Sequence, residues 1–273
     1  MFNSLFISCT FYLFYSTILN ALRKAHPDWN YIDEPLDTWT SLKNEDGTNL
    51  LECFYSDQRR WSYTFQNCAV LSRFRNIEQA ISNKANGISN VFITERCLDT
   101  DYHVFAKMLK DDKMIDAMEF SLYERWYALL KETATPLSAI IYIDTDPDTC
   151  AERIKGRGRN GEEGIPLDYL KKLTLFQNTW VDSLTAATNT TVRYVKSNEN
   201  PSEFPCLRAT TVDVIETFIT NLVDTADLSR SNSLVNMSPT PFLSSALNKF
   251  THNNKVANTN DNNELLVSAV TCE

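Results

Sequence analysis

Short apolar runs alternate with longer stretches of helical spacing along most of this chain. The runs Val91-Phe-Ile-Thr-Glu-Arg96 and Ala139-Ile-Ile-Tyr-Ile143 are dominated by β-branched and aromatic residues, which is typical of strands buried on both faces of a parallel sheet. Two shorter strands are indicated by Asn30-Tyr-Ile-Asp-Glu-Pro35 and Thr191-Val-Arg-Tyr-Val195. Strands that alternate with helices predict an α/β fold with a parallel sheet.

Between the predicted strands, apolar residues recur at intervals of three and four, which indicates amphipathic helices. Asp146 and Pro147 suit the N-cap and the first position of the helix that follows the strand at 139–144. Residues 49–81 keep helical spacing throughout and predict one long helix. The other predicted helices cover 16–25, 99–111, 116–132, 166–186 and 209–223.

The composition limits both the number of domains and the kinds of ligand that the chain can bind. A chain of 273 residues with 43% hydrophobic residues suits one large domain or two small ones. Residues 226–273 are rich in Asn, Ser and Thr and contain no Trp or Tyr, so we expect a disordered tail. The net charge of −9 disfavours a nucleic-acid polymer as partner, because a phosphate backbone needs a basic face.

The seven cysteines are scattered without a CxxC pair, and the three histidines stand alone in sequence. This pattern predicts neither a disulfide framework nor a zinc site, and it fits a reducing compartment. We expect the cytoplasm, with the mitochondrion as the alternative. Carboxylates and arginines must then carry any chemistry.

The first 22 residues contain no charged side chain. They resemble a secretory or membrane segment in their apolar content, but they lack a positive n-region, and Ser, Thr, Asn and Cys interrupt them. A buried first strand and a wrongly assigned N-terminus are the competing interpretations. We expect no membrane association.

A basic, glycine-rich segment lies at 153–166. Four cations, Arg153, Lys155, Arg157 and Arg159, fall within seven residues, and four of the six glycines of the chain lie between 156 and 164. Arg153 and Arg157 would share one helix face, four residues apart. The segment indicates a mobile loop that binds an anion, although a solvated charge run has the same composition.

Charged residues also end two of the predicted strands, Glu34 in one case and Glu95-Arg96 in the other. In a parallel α/β sheet the ligand site lies outside the carboxyl ends of the strands. Phosphoryl transfer needs a base, a metal ligand and cations that follow the transferred charge. These acids, the arginine and the basic loop therefore point to a kinase of a small hydroxyl substrate, while structural ion pairs are the alternative.

Several longer motifs occur in a fixed order between residue 16 and about residue 185. They are Asp33-Glu-Pro35 with Trp39, Asn49-Leu-Leu-Glu-Cys-Phe-Tyr55, Arg60-Trp-Ser-Tyr-Thr-Phe-Gln66, Leu71-Ser-Arg73, Thr94-Glu-Arg96, and Arg153 to Pro166 continuing to Lys172. In these motifs the chain resembles the deoxynucleoside kinase family, within it the deoxycytidine and deoxyguanosine kinase branch.

The resemblance implies a P-loop-kinase-like three-layer fold, in which helices flank a five-stranded parallel sheet. It places a kinase domain at 16–225, with a mobile lid at 153–166, after an atypical apolar N-terminus at 1–15. It also implies a homodimer formed through the long helices of the middle region. The implied activity is phosphorylation of the 5′-hydroxyl of a deoxynucleoside by ATP or another nucleoside triphosphate with Mg²⁺, in nucleotide salvage.

The resemblance assigns the catalytic roles residue by residue. Glu34 would take the proton from the 5′-hydroxyl, and Arg96 would hold that hydroxyl and the incoming phosphate. Glu95 and Ser16 would be the protein ligands of Mg²⁺. Ser16 and Thr17 would also contact the donor phosphates.

The lid and the acceptor pocket receive their roles in the same way. Arg153, Arg157 and Arg159 would clamp the donor phosphates as the lid closes. The 3′-hydroxyl would be bound by Tyr55 and Glu162. Gln66 would bind the edge of the base, and three aromatic residues would pack around the ring: Trp39, Phe65 and Phe105.

Base preference follows from Arg73 and Asp101, which occupy the positions of an arginine–aspartate pair in the cytidine and purine branch. A carboxylate accepts a hydrogen bond from an exocyclic amino group, whereas thymine offers a carbonyl and a methyl group. We therefore expect deoxycytidine or a purine deoxynucleoside over thymidine. Two departures lie nearby: Cys97 replaces a serine, and Tyr102-His103 replaces Arg-Tyr, where His103 is expected to reshape the base pocket.

The largest departure concerns the phosphate-binding loop, Gly-x-x-x-x-Gly-Lys-[Ser/Thr]. Ser16 matches the residue after its lysine, but Tyr15 stands at the lysine position, and no glycine precedes Gly47. Two explanations compete: residues 1–15 derive from a wrong or alternative first exon, or the chain is a catalytically impaired pseudokinase that binds nucleosides.

Two other classes remain open. A thymidylate-kinase-like enzyme would act on nucleoside monophosphates, and a membrane-anchored interaction protein would use residues 1–22 as its anchor.

Overall fold

The computed structural model describes residues 5–10, 15–83, 89–158, 164–187, 190–198 and 211–225. These residues belong to one compact unit that ends at Thr225. The predicted disordered tail, 226–273, lies outside the described residues. So do 11–14 at the position of the phosphate-binding loop and 159–163 in the lid, together with the remaining gaps between these ranges.

Five parallel strands form the central sheet. They are β1 (Leu5–Thr10), β2 (Asn30–Ile32), β3 (Val91–Glu95), β4 (Ala139–Asp144) and β5 (Thr191–Lys196). Their order across the sheet is β2-β3-β1-β4-β5, and every neighbouring pair is parallel. The α/β fold expected from the sequence is confirmed.

Position in the sheet explains the composition of each strand. β3 and β4 lie inside the sheet with both faces covered, and all of their residues except the terminal acids, Glu95 and Asp144, are buried. β5 is an edge strand with mostly exposed residues, which is why its sequence alternates less regularly.

Residues 5–10 of the uncharged N-terminal segment form the middle strand, β1, between β3 and β4. Ile7 on this strand is completely buried. Residues 5–10 therefore form a strand, as one of the two interpretations expected, and the burial of Ile7 agrees with it. No helix in the described part of the chain is both long and apolar enough to cross a membrane.

Helices cover both faces of the sheet. Their bounds are α1 (Tyr15–Ala25), α2 (Leu36–Ser41), α3 (Leu50–Ser56), α4 (Gln58–Ser82), α5 (Leu98–Thr100), a π-helical segment (Asp101–Ala106), α6 (Lys107–Asp111), α7 (Ala117–Thr133), α8 (Pro147–Arg157) and α9 (Leu167–Ala187). A last helix, α10, covers 211–225.

The alternating residues of β4 show the three layers directly. Ile141 and Ile143 face a core that includes residues of α1 and α10. Ile140 and Tyr142 face the opposite core, which contains residues of the π-helical segment and of α9. A third apolar cluster lies beside the sheet and is built from α2, α3, α4 and α7; it contains Trp39 and Phe65.

The prediction of one long helix over 49–81 is wrong at Asp57, where the chain breaks between α3 and α4. The Asp57 amide still donates to the carbonyl of Cys53, at 3.1 Å. The Asp57 carboxylate accepts from the amide of Arg60, also at 3.1 Å, and so caps the N-terminus of α4. Apolar spacing continues across the break, because both helices bury the same side of the chain. The periodicity of apolar residues alone therefore did not reveal the break.

The helix that leads into the lid begins and ends as the sequence suggests. Asp146 occupies the N-cap of α8 and Pro147 its first turn, while Gly158 ends the helix in a left-handed conformation with φ of 60°. This places Arg153 in the second turn of α8, on the side of the sheet where the strands end.

Candidate active site

Two neighbouring strands bring Glu34 and Arg96 together. In the register of β2 and β3, Ile32 lies opposite Thr94, so Glu34 and Arg96 each lie two residues beyond a paired position. The Arg96 guanidinium contacts the Glu34 carboxylate with Nη1 and Oε1 2.9 Å apart. The predicted base and the predicted phosphate-binding arginine therefore form an ion pair at the carboxyl ends of the strands.

The backbone of Arg96 is strained. Its φ of 63° lies in the left-handed region, which non-glycine residues seldom adopt and which costs about 1–3 kcal/mol at functional sites. Its guanidinium carbon lies 4.8 Å from the centre of the Phe105 ring. The unusual turn after β3 directs this side chain back over the ends of the strands, toward Glu34.

Arg73, on α4, reaches the same place from the helical side. It is buried, and its Nε donates to Oδ2 of Asp101 at 2.8 Å. Its Nη1 donates to the carbonyl oxygen of Glu95 at 2.7 Å, and its Nη2 lies 3.5 Å from Oε1 of Glu34. The expected contact between Arg73 and Asp101 is present, and through Arg73 it connects to the Glu34–Arg96 ion pair.

Burial acts on both members of the Arg73–Asp101 pair. Desolvation alone would lower the pKa of Arg73, but the carboxylates of Asp101 and Glu34 more than compensate and raise it. Burial raises the pKa of the Asp101 carboxyl, an effect that the Arg73 guanidinium opposes. The two carboxylates thus favour the charged form of the arginine.

Two of the three aromatic residues expected around the base, Trp39 and Phe65, lie in one apolar cluster, whereas Phe105 packs in the core that contains residues of α9. The Trp39 ring meets Phe65 edge to face, with centroids 5.2 Å apart, and Phe65 stacks on Phe54 at 4.6 Å. The Trp39 indole is fixed by a hydrogen bond of 3.0 Å from its Nε1 to Oγ of Ser72. Sequence reasoning did not give Phe54 or Ser72 a role, although both lie inside the family motifs.

Gln66 lies on α4 directly after Phe65. It is buried, and its Oε1 accepts no hydrogen bond from any described residue. A buried polar atom of this kind generally has a partner. An amide that is held for a ligand fits the observation, and the expected contact with the base edge stays a prediction.

Tyr55 is half-buried at the end of α3 and packs against the ring of Phe54 at 5.2 Å. It also lines an open cavity of about 660 Å³ together with Asp57, Arg59 and Tyr169. Its expected partner at the 3′-hydroxyl, Glu162, lies outside the described residues.

Arg153 occupies a different part of the strand ends from Arg96. Its Nη2 donates to the carbonyl oxygen of Ser197, 2.9 Å away in the turn after β5. Asn198 in the same turn donates to the carboxylate of Asp146 at 2.6 Å. Burial lowers the pKa of Arg153, while Cys150 opposes this shift. The arginine is anchored at the base of the lid, and its contact with donor phosphates stays a prediction.

The structure describes only part of the other residues that are expected to contact the donor phosphates. The backbones of Ser16, Thr17 and Arg157 belong to helices, but their side chains lie outside the described part of the structure, as does all of Arg159. No group of three or more His, Cys, Asp or Glu among the described residues could hold a metal ion. Glu95 pairs with Cys9 of β1, and α1 begins shortly after β1, so Glu95 and Ser16 belong to the same end of neighbouring elements. Their shared binding of Mg²⁺ stays a prediction.

Of the two departures, Tyr102 packs against the apolar cluster that contains Trp39 and Phe65, whereas His103 contacts α7 and α9. Tyr102 stacks on Tyr127 at 4.2 Å and donates to Glu124 at 2.8 Å. His103 stacks on Trp180, and burial together with Lys107 lowers its pKa to about 4. The described ring contacts of His103 join the π-helical segment to α7 and α9. None of these contacts involves a residue expected to bind the base, so its expected effect on the base pocket stays a prediction.

A parallel α/β sheet with a partly buried acid–arginine pair at its strand ends, and a basic helix beside it, fits a small-molecule phosphotransferase. Comparison with known proteins specifies the class: the deoxynucleoside kinase profile matches residues 15–220. The chain belongs to the deoxynucleoside kinase family.

Individual relatives agree with this assignment. Deoxycytidine kinase 1 of Xenopus laevis is 32% identical over 222 residues, which cover 76% of this chain and 80% of the relative. Deoxycytidine kinase 2 of Gallus gallus is 35% identical over 182 residues, covering 61% and 69%. The mitochondrial deoxyguanosine kinase of Xenopus laevis is 32% identical over 184 residues, covering 62% and 69%.

Breaking the buried Arg73–Asp101 pair should destabilise the folded protein. We predict that Asp101→Ala lowers the free energy of unfolding by about 3 kcal/mol, because it leaves Arg73 buried with only the more distant Glu34 carboxylate. The double variant R73M/D101L should recover most of this loss. The matched control is Asp33→Ala, which removes an exposed partner of Arg23 at 2.8 Å and should cost less than about 1 kcal/mol. Equal costs in urea denaturation for D101A and D33A would contradict the prediction.

Proposed function

We propose that this chain transfers a phosphoryl group from ATP, or another nucleoside triphosphate, to the 5′-hydroxyl of a deoxynucleoside in nucleotide salvage. The observation that carries the proposal is the Glu34–Arg96 ion pair, held at 2.9 Å where the strands end. The expected compartment is the cytoplasm, with the mitochondrion as the alternative.

Glu34 acts as the general base. Its carboxylate accepts the proton of the 5′-hydroxyl while the hydroxyl oxygen forms a bond to the γ-phosphorus and the bond from that phosphorus to the bridging oxygen breaks. The nucleoside diphosphate leaves with the electron pair of that bond. Arg96 exchanges part of its contact with Glu34 for the hydroxyl and the transferred phosphate, whose negative charge it stabilises.

Mg²⁺ held by Glu95 and Ser16 would neutralise charge on the donor phosphates. Arg153, Arg157 and Arg159 would approach those phosphates from the lid at 153–166. Arg153 is already fixed at the base of the lid by its hydrogen bond to Ser197, which leaves the following residues to close over the donor.

The base is selected by Asp101 and Gln66. The Asp101 carboxylate accepts from an exocyclic amino group, and the Gln66 amide binds the adjacent edge, while Trp39, Phe65 and Phe105 enclose the ring. Thymine would place a carbonyl against Asp101, which costs about 1–3 kcal/mol for the unpaired group. We therefore propose deoxycytidine or a purine deoxynucleoside as the substrate. Tyr55, with Glu162, would bind the 3′-hydroxyl.

One specific observation favours a second function, a nucleoside-binding pseudokinase. Tyr15 stands where the family has the lysine of its phosphate-binding loop, and the chain has no glycine before Gly47. A chain with this sequence should bind the donor weakly, because the loop normally supplies both the charge and the open backbone amides that hold the phosphates. Its acceptor side retains Glu34, Arg96, Gln66 and the Arg73–Asp101 pair.

An assay of deoxycytidine phosphorylation tests the proposal. We expect Glu34→Gln to lower kcat by about 10³-fold, because it removes the general base, with little change in the Kd of deoxycytidine measured by calorimetry. Asp37→Asn, an exposed carboxylate on α2, is the control and should leave both quantities unchanged. An E34Q variant as fast as the wild type would overturn the proposed chemistry.

The same assay separates the two functions. A wild-type chain that binds deoxycytidine without transferring phosphate would support the pseudokinase. The variant C9G/F14G/Y15K, which restores the glycines and the lysine of the loop motif, should then gain transfer. Phosphorylation of deoxycytidine monophosphate, but not deoxycytidine, would instead favour a thymidylate-kinase-like enzyme.

We also propose a homodimer formed through α4 and α7. Along α7 the side chains of Met118, Leu122, Trp126 and Leu129 are 80%, 43%, 45% and 52% exposed, and Leu71 on α4 is 48% exposed. A contiguous apolar stripe of this kind marks an interaction surface. The long helices at this surface are those from which the family resemblance implied a dimer.

Sedimentation equilibrium tests the dimer. The wild type should sediment as a dimer and Trp126→Glu as a monomer, because the variant places a charge in the apolar interface. Leu175→Glu on α9 removes an equally exposed leucine elsewhere (62% exposed) and should stay dimeric. A monomeric wild type, or a dimeric W126E, would contradict the proposal.

A further inference from the structure

The ring of Phe105 contacts Arg96, the arginine to which the proposed mechanism gives the transferred phosphate. The guanidinium carbon of Arg96 lies over this ring, 4.8 Å from its centre. Phe105 is buried, with 7% of its surface exposed, and it packs in the same core as Cys97, the residue that follows Arg96. Trp39 and Phe65, the other aromatic residues expected around the base, belong to a different apolar cluster. Phe105 is therefore held at the turn after β3, where Arg96 leaves the sheet.

The distance is that of a cation–π contact, in which the negative face of an aromatic ring attracts a guanidinium within about 6 Å of the ring centre. Removal from water strengthens this attraction, and the Arg96 side chain is only 17% exposed. The Glu34 carboxylate contacts Nη1 of the same guanidinium at 2.9 Å. An aromatic ring and a carboxylate thus hold Arg96 by different chemistry.

The π-helical segment determines where the ring of Phe105 lies. Asp101 and Phe105 are four positions apart, slightly less than one turn of a π-helix, so they belong to the same face of the segment. Asp101 contacts Nε of Arg73 at 2.8 Å, and Phe105 contacts Arg96. One face of the segment therefore supports two arginines, and π-helical turns occur frequently at functional sites.

An aromatic ring suits an arginine that changes partners during the reaction. In the proposed mechanism Arg96 exchanges part of its contact with Glu34 for the hydroxyl and the transferred phosphate. A second carboxylate at the position of Phe105 would neutralise the guanidinium and weaken its attraction for that phosphate. The ring carries no net charge and accepts no proton, so it holds the guanidinium while the positive charge stays available.

The backbone of Arg96 also depends on support from its surroundings. Its φ of 63° lies in the left-handed region, a conformation that persists only where the neighbouring structure holds it. As the phosphate arrives and the contact with Glu34 loosens, the ring of Phe105 still keeps the guanidinium over the strand ends.

We propose that Phe105 is a positioning residue for phosphoryl transfer: its ring face holds the Arg96 guanidinium beside Glu34 and leaves the positive charge available to the transferred phosphate. The inference rests on the proposed function, and it adds a role to the packing of Phe105 around the base. The two roles change different quantities. Loss of the contact with Arg96 lowers kcat at saturating nucleoside, whereas loss of packing against the base raises the Kd of the nucleoside.

Phe105→Leu tests the proposal, because it removes the ring and keeps an apolar side chain in the core. Phe105→Tyr keeps the ring and is the rescue variant. The matched control is Phe176→Leu on α9, which makes the same change against the same core and removes a ring 5.9 Å from the Lys172 ammonium. The measurements are kcat and KM for deoxycytidine and its Kd by calorimetry, and thermal unfolding checks that each variant is folded.

We expect F105L to lower kcat about tenfold and F105Y to stay within about twofold of the wild type. F176L should leave kcat and KM unchanged. An F105L variant with the kcat of the wild type would overturn the proposal, whatever its Kd. An equal loss of kcat in F105L and F105Y would overturn it as well, because the ring would then not be the group that matters.

Nuclear magnetic resonance tests the contact without turnover. Protons above an aromatic ring are shifted upfield, and Nε of Arg96 is buried, which protects its proton from exchange. The Nε–H signal of Arg96, assigned by its loss in Arg96→Lys, should therefore lie upfield in the wild type and move downfield in F105L but not in F176L. The same signal position in the wild type and F105L would contradict the contact. A chain that shows the shift but transfers no phosphate, even as C9G/F14G/Y15K, would contradict the proposed function while supporting the contact.

Discussion

A single buried guanidinium, that of Arg73, joins the parts of this site. It contacts Asp101 at 2.8 Å, the carbonyl oxygen of Glu95 at 2.7 Å and the Glu34 carboxylate at 3.5 Å. Each contact belongs to a different element, the π-helical segment, β3 and the loop after β2. A buried arginine is tolerated only when its charge is balanced in this way. The residues proposed for base selection and those proposed for catalysis therefore belong to one electrostatic network.

The sheet supplies the frame for that network. Because β2 and β3 are neighbours in register, Glu34 and Arg96 leave the sheet at the same level, and the left-handed backbone of Arg96 turns its side chain toward the acid. Arg153 leaves α8 farther along the same edge, beside the turn after β5. The residues proposed for acceptor chemistry and for donor binding thus lie on two halves of one edge, and the sequence departs from its family between them, where the phosphate-binding loop would lie.

Sequence reasoning predicted the buried strands well, because β3 and β4 are covered on both faces and contain long apolar runs. It missed the break at Asp57, since the apolar spacing of α3 continues into α4. The Arg73–Asp101 contact came from the family resemblance; no local pattern links residues 28 positions apart.

The central claim is that the Arg73–Asp101 pair selects bases with an exocyclic amino group at an intact acceptor site. Its most direct test is a calorimetric competition between deoxycytidine and thymidine, with no donor present, so that the unusual N-terminal segment has no influence on the result. The account predicts that deoxycytidine binds more tightly, by a factor of at least about ten, and that Asp101→Ala abolishes the difference. Thymidine that binds as tightly as deoxycytidine, or a preference that survives in D101A, would contradict it.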